Sequence, residues 1–244
     1  MSDPTHLLSI PGFSDPVSSL THLAGAVLFA ILGVFLVRRG RGDARRVASL
    51  MVFVFSCVLL LSLSGVYHAL RHDSVARDVL MRLDHAAIFV LIAGSFTPVH
   101  AILLNDRWHR YLLPMIWAAA IAGLALKSLY FDAMPEWLGL AMYLGLGWLG
   151  VVSTVALARR FGLRFILPLV WGGLAYTVGA VVDHAHWPVL VPGIVGPHEL
   201  FHLAVLAGIS CHWLFIRRIA SGSNARFLYP QVPMLHVLVG GEVG

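Results

Sequence analysis

Long apolar runs separated by short polar segments make up most of this chain. A run of about 20 apolar residues in a helix matches the thickness of a bilayer core. We predict seven membrane-spanning helices, at residues 19–37, 47–70, 83–104, 111–129, 137–157, 165–182 and 198–216. The predicted fold is therefore an all-α bundle of seven transmembrane helices.

The segments between these runs are short, so consecutive helices are expected to be antiparallel neighbours. No internal repeat and no second domain is apparent. We predict an N-terminal lead-in at residues 1–18, a membrane domain at 19–218 and a C-terminal tail at 219–244. No Lys or Arg precedes Arg38 and the first apolar segment is long enough to span, so no cleavable signal peptide is expected.

Composition supports the same fold class. Hydrophobic residues make up 59% of the 244 residues, charged residues only 12%, and the mean hydropathy is +0.83. A soluble domain carries about 25% charged residues, so the composition excludes a soluble protein. The two cysteines, Cys57 and Cys211, lie within apolar runs, which favours buried, inert thiols over a disulfide.

The positive charges predict an orientation rather than a nucleic-acid surface. The isoelectric point is about 9.7, but the basic residues are scattered through short loops and form no basic face with interleaved aromatic residues. Of the 17 Lys and Arg residues, all but Arg71, Arg77, Arg82 and Lys127 fall on one side of the predicted bundle. The positive-inside rule then predicts a cell-membrane protein with its N-terminus outside and its C-terminus in the cytoplasm.

Histidines cluster on the arginine-poor side. His68 closes the second apolar run, and His198 and His202 open the last one. A four-residue step places His198 and His202 on one helix face. Ionisable groups are costly in a membrane and usually mark a functional interior. We therefore predict one metal ion, bound by the three imidazoles of His68, His198 and His202.

Three histidine ligands with one open position are typical of a catalytic zinc ion, which acidifies its bound water. Asp84, at the start of the third run, is predicted to face the same end and to act as a general base or as a support for that water. Ser64 lies one turn before His68 and is predicted to hydrogen-bond the same water or a substrate carbonyl. Asp84 and Ser64 are the predicted catalytic residues.

Simpler interpretations remain open for each of these residues. A histidine near a helix end often only reaches interfacial water. Ser64 can bond a carbonyl of its own helix, and Asp84 can cap a helix N-terminus. Asp183, His184 and His186 are interpreted as a solvated loop edge, with a role in the site as the less favoured alternative. Glu199 is expected to serve the N-terminus of the last helix.

Several short motifs resemble those of the hemolysin III proteins, the bacterial branch of the progestin and adipoQ receptor family. They are Thr-His-Leu-Ala-Gly at 21–25, Ser-Gly-Val-Tyr-His at 64–68, the segment at 84–98 that starts Asp-His-Ala-Ala-Ile, and His-Glu-Leu-Phe-His at 198–202. The resemblance covers about residues 15–218. The combination of Ser-x3-His, Asp and His-x3-His is shared with alkaline ceramidases, so it indicates a superfamily rather than one activity.

This resemblance implies a seven-helix bundle with one zinc ion bound by three histidines and a water molecule. It matches His68, His198 and His202 to the ligands, and Asp84 and Ser64 to the supporting residues. Many hemolysin III proteins carry a glutamate near the first span, whereas here only Asp15 lies close. The predicted orientation is also opposite to that of the adiponectin receptors, whose zinc end faces inward.

The expected function is a zinc-dependent hydrolase that acts on the amide or ester bond of a membrane lipid and is linked to membrane homeostasis. Two alternatives remain open. The bacterial branch is named for a haemolytic, pore-forming activity, which makes cytolysis the second hypothesis. The third is a lipid-responsive receptor or sensor in which the zinc is structural.

Overall fold

The computed structural model describes residues 14–104 and 107–222. In these residues the chain forms eight helical segments: α1 (Pro16–Arg39), α2 (Ala44–Ala69), α3 (Val75–Leu103), α4 (Arg107–Leu129), α5 (Glu136–Trp148), α6 (Gly150–Phe161), α7 (Leu163–His184) and α8 (Pro197–Ile219). Segments α5 and α6 adjoin at Leu149, whose backbone keeps helical angles (φ −55°, ψ −24°), and together they form one apolar stretch. Seven helices are thus long and apolar enough to cross a membrane, which confirms the predicted fold.

Helix α3 begins eight residues earlier than the apolar pattern indicated. The hydroxyl of Ser74 accepts a hydrogen bond from the backbone N–H of Arg77 at 3.3 Å and so caps the helix N-terminus. The first two turns carry the charged residues Arg77, Asp78 and Arg82, which interrupt the apolar pattern and hide the start of the helix. Asp84 consequently lies well inside α3, and its alternative interpretation as a helix cap is wrong.

Helices α1, α2, α3 and α8 form the better-buried part of the bundle. Helix α2 packs between α1 and α3, while α8 packs against α7 and α1. In the most apolar stretch of α3, 67% of the residues are buried inside the bundle, compared with 22% in α4 and 22% in α7. The four inner helices are therefore the ones that can hold polar side chains away from lipid and water.

The two ends of the bundle differ in chemistry. The end that contains the C-terminus of α1 and the N-terminus of α2 has a closely packed apolar interior beneath its surface arginines. Its fully buried side chains include Leu36, Leu50, Phe53, Leu157, Phe215, Ile216 and Ile219. The other end, where α1 and α8 begin and α2 finishes, is called the site end below, because the buried histidines His22, His68 and His202 lie there.

Large apolar side chains cover the outside of the bundle. Val27, Ile31 and Phe35 on α1, and Trp171 and Val178 on α7, are all more than half exposed. Apolar surface of this extent is unfavourable in water, but it is well solvated by the hydrocarbon chains of lipids. The distribution of side chains is thus that of a multi-pass membrane protein.

Buried hydrogen bonds join α1 to its neighbours at the site end. Ser18 donates to Glu199 Oε1 at 3.0 Å, and Ser19 donates to the carbonyl oxygen of Gly65 at 2.8 Å. The second carboxylate oxygen of Glu199 accepts from the backbone N–H of Gly196 at 2.9 Å, which confirms its predicted place at the N-terminus of α8. A Cβ atom at Gly65 would collide with Leu23, so only glycine permits this approach of α1 to α2.

Candidate metal centre

The structure brings the three predicted ligands together. His68 Nε2 lies 3.2 Å from His198 Nε2, which in turn lies 3.1 Å from His202 Nε2. One ring nitrogen from each histidine falls within 4.8 Å of the other two. His68 and His202 are buried, and His198 is partly exposed. The three rings therefore surround one small volume at the site end.

The local folding of α2 and α8 explains this convergence. His198 and His202 lie one turn apart in the first two turns of α8, so both rings point the same way. His68 is the penultimate residue of α2. Helix α1 contacts both α2 and α8, and its bonds to Gly65 and Glu199 hold the end of α2 close to the start of α8.

Two of these rings bind a carboxylate through the nitrogen that faces away from the cluster. His68 Nδ1 lies 2.9 Å from Asp15 Oδ2, and His198 Nδ1 lies 3.1 Å from Asp183 Oδ1. An ionised carboxylate only accepts hydrogen bonds, so each Nδ1 carries the proton. Each Nε2 of a neutral ring then presents a lone pair to the cluster.

The cluster fits a metal ion for three reasons. Nitrogen lone pairs that face each other at 3.2 Å repel unless a cation lies between them. A tetrahedral zinc ion with Zn–N bonds of about 2.0–2.1 Å separates its nitrogen ligands by roughly 3.3–3.4 Å, close to the observed spacing. Neutral imidazoles suit zinc and several transition metals. His68, His198 and His202 can therefore hold such an ion.

Residues 13–213 match the family model described as haemolysin-III related. The chain belongs to the haemolysin-III-related family. Hemolysin-3 from Bacillus cereus is 31% identical over 193 residues, which cover 78% of this chain and 84% of that protein. The Hemolysin-3 homolog from Bacillus subtilis (strain 168) is 32% identical over 187 residues, covering 72% of this chain and 86% of that protein.

A more distant relative links this haemolysin-III-related chain to the adipoQ receptor group. The heptahelical transmembrane protein ADIPOR2 from Oryza sativa subsp. japonica is 30% identical over 182 residues, covering 68% of this chain and 79% of that protein. The family assignment and the link to the progestin and adipoQ receptor family are thus confirmed.

In this family member Asp84 and Ser64 lie beside the histidine cluster. Ser64, in the penultimate turn of α2, is buried, and its hydroxyl lies within hydrogen-bonding reach of the Asp84 carboxyl. Asp84 is also close enough to His198 for their charges to interact. Ser64 thus interacts with an acid on α3. The catalytic roles of both residues stay predictions.

Asp15 is the main feature that the sequence did not assign. Besides His68 Nδ1, its Oδ2 accepts from Arg77 Nη2 at 2.7 Å, and its backbone N–H donates to the carbonyl of His68 at 3.0 Å. Burial alone would raise the pKa of Asp15, but the hydrogen bonds from His68 and Arg77 outweigh it and lower the pKa to about 2. Asp15 is therefore ionised at neutral pH. Its distance of 53 residues from His68 left no sequence signal for the contact.

Two further residues join the site. Asp183 was interpreted as part of a solvated loop edge, yet its carboxylate contacts His198 because the end of α7 packs beside the start of α8. The buried His22 ring stacks on His202 with 3.9 Å between ring centroids, and its Nε2 lies 3.3 Å from the His202 carbonyl oxygen. His22 lies in a motif that supported the resemblance, but no role was assigned to it.

Proposed function

We propose that this haemolysin-III-related protein is a zinc-dependent hydrolase that cleaves an amide or ester bond of a membrane lipid. The observation that carries the proposal is the convergence of three imidazole nitrogens within 4.8 Å, with an acid and a hydroxyl beside them. Structural zinc sites usually fill four positions with protein ligands, often cysteines. Here the two cysteines are not part of the cluster, and three histidines leave a position for chemistry.

The side chains supply the proton transfers that hydrolysis needs. When bound by the three histidines, zinc would polarise a carbonyl group and make a water molecule more acidic. Asp84 accepts a proton from the attacking water and later donates it to the leaving nitrogen or oxygen, so the C–N or C–O bond breaks without a net change in the protein. Ser64 holds Asp84 in place, or donates to the oxyanion that develops on the carbonyl.

A membrane lipid is the substrate class that fits the location of the site. The cluster lies at one end of a bundle whose outer surface is apolar. An amide or ester bond close to the lipid head group therefore lies at the same depth in the membrane as the histidines. An acyl chain can remain among the apolar helix faces while its amide or ester group reaches the histidines. The substrate itself is a lipid of unassigned head group.

The names of the Bacillus relatives raise the alternative of pore formation. A pore needs a polar path through the whole membrane or an oligomer that creates one. In the described residues, the buried charged side chains Asp15, Arg77, Lys127 and Glu199 lie at the site end, while buried Leu, Ile and Phe side chains close the other end. This distribution argues against a permanent channel within a single copy and favours the hydrolase.

We also propose an orientation with the N-terminus and the site end outside and the C-terminus in the cytoplasm. The support is the excess of arginine on the side opposite the histidines. A reporter protein that is active only in the cytoplasm should give a signal when it is fused to the C-terminus. A periplasmic or extracellular reporter signal would contradict this orientation.

The decisive experiment measures metal and turnover on the purified full chain in detergent micelles. Elemental analysis of the wild type is expected to give about one zinc per chain, together with release of fatty acid from a lipid amide or ester. His202→Ala should lose both, whereas His184→Ala, which changes a histidine at the same end outside the cluster, should keep both. A wild type without stoichiometric metal, or a His202→Ala variant with unchanged turnover, contradicts the proposal.

A further inference from the structure

We infer that Asp15 and Asp183 are positioning residues, which fix the ring orientation and the tautomer of two of the three proposed metal ligands. The inference rests on the proposed metal site and deepens it. Neither residue lies within the motifs at 64–68, 84–98 or 198–202. It is their contacts in the folded chain that assign the role.

The contacts are specific to one ring nitrogen. Asp15 Oδ2 lies 2.9 Å from His68 Nδ1, and Asp183 Oδ1 lies 3.1 Å from His198 Nδ1. Both acids therefore keep the proton on Nδ1 and leave Nε2 as the electron-pair donor. In metalloproteins such a carboxylate behind a histidine also limits ring rotation and makes the ligand more basic.

The two acids are held to different extents. The Asp15 side chain is only 9% exposed and also bonds Arg77, while the Asp183 side chain is 37% exposed. Arg77 is anchored in turn, since its Nη1 donates to the carbonyls of Leu70 at 2.6 Å and Tyr67 at 3.3 Å. Asp15 is thus fixed by the end of α2 and the start of α3. Water can compete for Asp183, so its effect on the metal is expected to be smaller.

A purely structural role gives a different experimental signature. If Asp15 only neutralised the buried Arg77, its replacement would lower the stability of the metal-free protein and leave the metal affinity of the folded protein unchanged. A positioning residue changes the metal affinity and the coordination geometry. These two properties can be measured separately from stability and from any lipid turnover.

The experiment compares wild type, Asp15→Asn, Asp183→Asn and the control Asp73→Asn as full-length chains in detergent micelles. Asp73 is an exposed acid at the same end, paired with Arg71 at 3.1 Å. Zinc affinity is measured by competition with a chelator, and the visible spectrum of the cobalt-loaded protein reports the coordination geometry. Thermal unfolding is recorded with and without metal.

We expect zinc affinity to fall about 10–100-fold in Asp15→Asn and about tenfold in Asp183→Asn, with an altered cobalt spectrum in each. Asp73→Asn should match the wild type. The inference is overturned if both variants bind zinc as the wild type does and give its cobalt spectrum, whatever happens to their thermal stability. If Asp15→Asn does not fold, Asp183→Asn decides alone, because its carboxylate is partly exposed.

The proposed function and this inference fail in different ways. A wild type that binds neither zinc nor cobalt overturns both of them. A wild type that binds metal, together with variants that bind it equally well, overturns the inference only.

Discussion

Among the described residues, histidines enclosed between the helices occur at both ends of the bundle, and their surroundings differ. At the site end, His68, His198 and His202 direct one nitrogen each to a common point, and acids hold two of the rings from behind. Toward the other end of α3, His100 is equally buried, but its Nε2 meets the hydroxyl of Ser153 on α6 at 2.9 Å. Sixteen residues along α3 separate it from Asp84, which corresponds to about 24 Å.

Burial of a histidine does not by itself define a metal site. His100 Nε2 has a hydroxyl partner from the neighbouring helix, so its contact with α6 is explained by packing and hydrogen bonding. At the site end, each of these nitrogens instead faces another imidazole nitrogen, an arrangement that a bound cation would stabilise.

The largest effect is expected from exchanging one histidine in each region. His198→Gln should reduce bound zinc to less than about a tenth of the wild-type content, because two remaining imidazoles hold zinc poorly. His100→Gln should keep the full metal content. Elemental analysis of both purified variants measures the difference, and equal metal contents would remove the distinction between the two regions.

A large effect on turnover alone is expected from Asp84→Asn. The amide cannot accept a proton, so lipid hydrolysis should fall roughly 10²–10⁴-fold, the usual contribution of general acid–base catalysis. The three imidazoles are unchanged, so zinc should stay bound. Metal content and fatty-acid release are measured on the same sample. Unchanged hydrolysis with full zinc would show that Asp84 does not carry the proton in the reaction.

A smaller effect is expected from Ser64→Ala. Loss of one hydrogen bond to Asp84 costs about 0.5–1.5 kcal/mol, which corresponds to a decrease in turnover of about tenfold or less. Metal content should not change. Steady-state hydrolysis measures the effect. A loss as large as that of Asp84→Asn would mean that Ser64 takes part in the reaction directly.

The smallest effect is expected from Ser153→Ala at the other end. His100 loses a buried hydrogen-bond partner, so the free energy of unfolding should fall by about 1 kcal/mol. Zinc content and turnover should stay at wild-type values, since α6 contributes no residue to the site. Denaturant titration in micelles measures the stability. Loss of metal in this variant would show that the two regions are coupled.

The sequence predicted the fold because bilayer thickness ties each helix to a long apolar run. Helix α3 begins earlier than predicted, and one predicted span is divided at Leu149 into α5 and α6. Neither of these boundaries coincides with the start or the end of an apolar run. His68, His198 and His202 were also predictable, because membrane histidines at helix ends are rare and a four-residue step defines a helix face.

Only the tertiary structure decided which residues support the three histidines. Asp15, Asp183 and His22 reach the cluster from α7 and from the start of α1, across 15 to 180 residues of chain. Periodicity describes one helix at a time, so it gives no information on how the ends of separate helices meet. That arrangement depends on side-chain packing and on close approaches such as that of Gly65 to Leu23. The apolar pattern thus determined the spans and the chemistry available, and packing selected the partners.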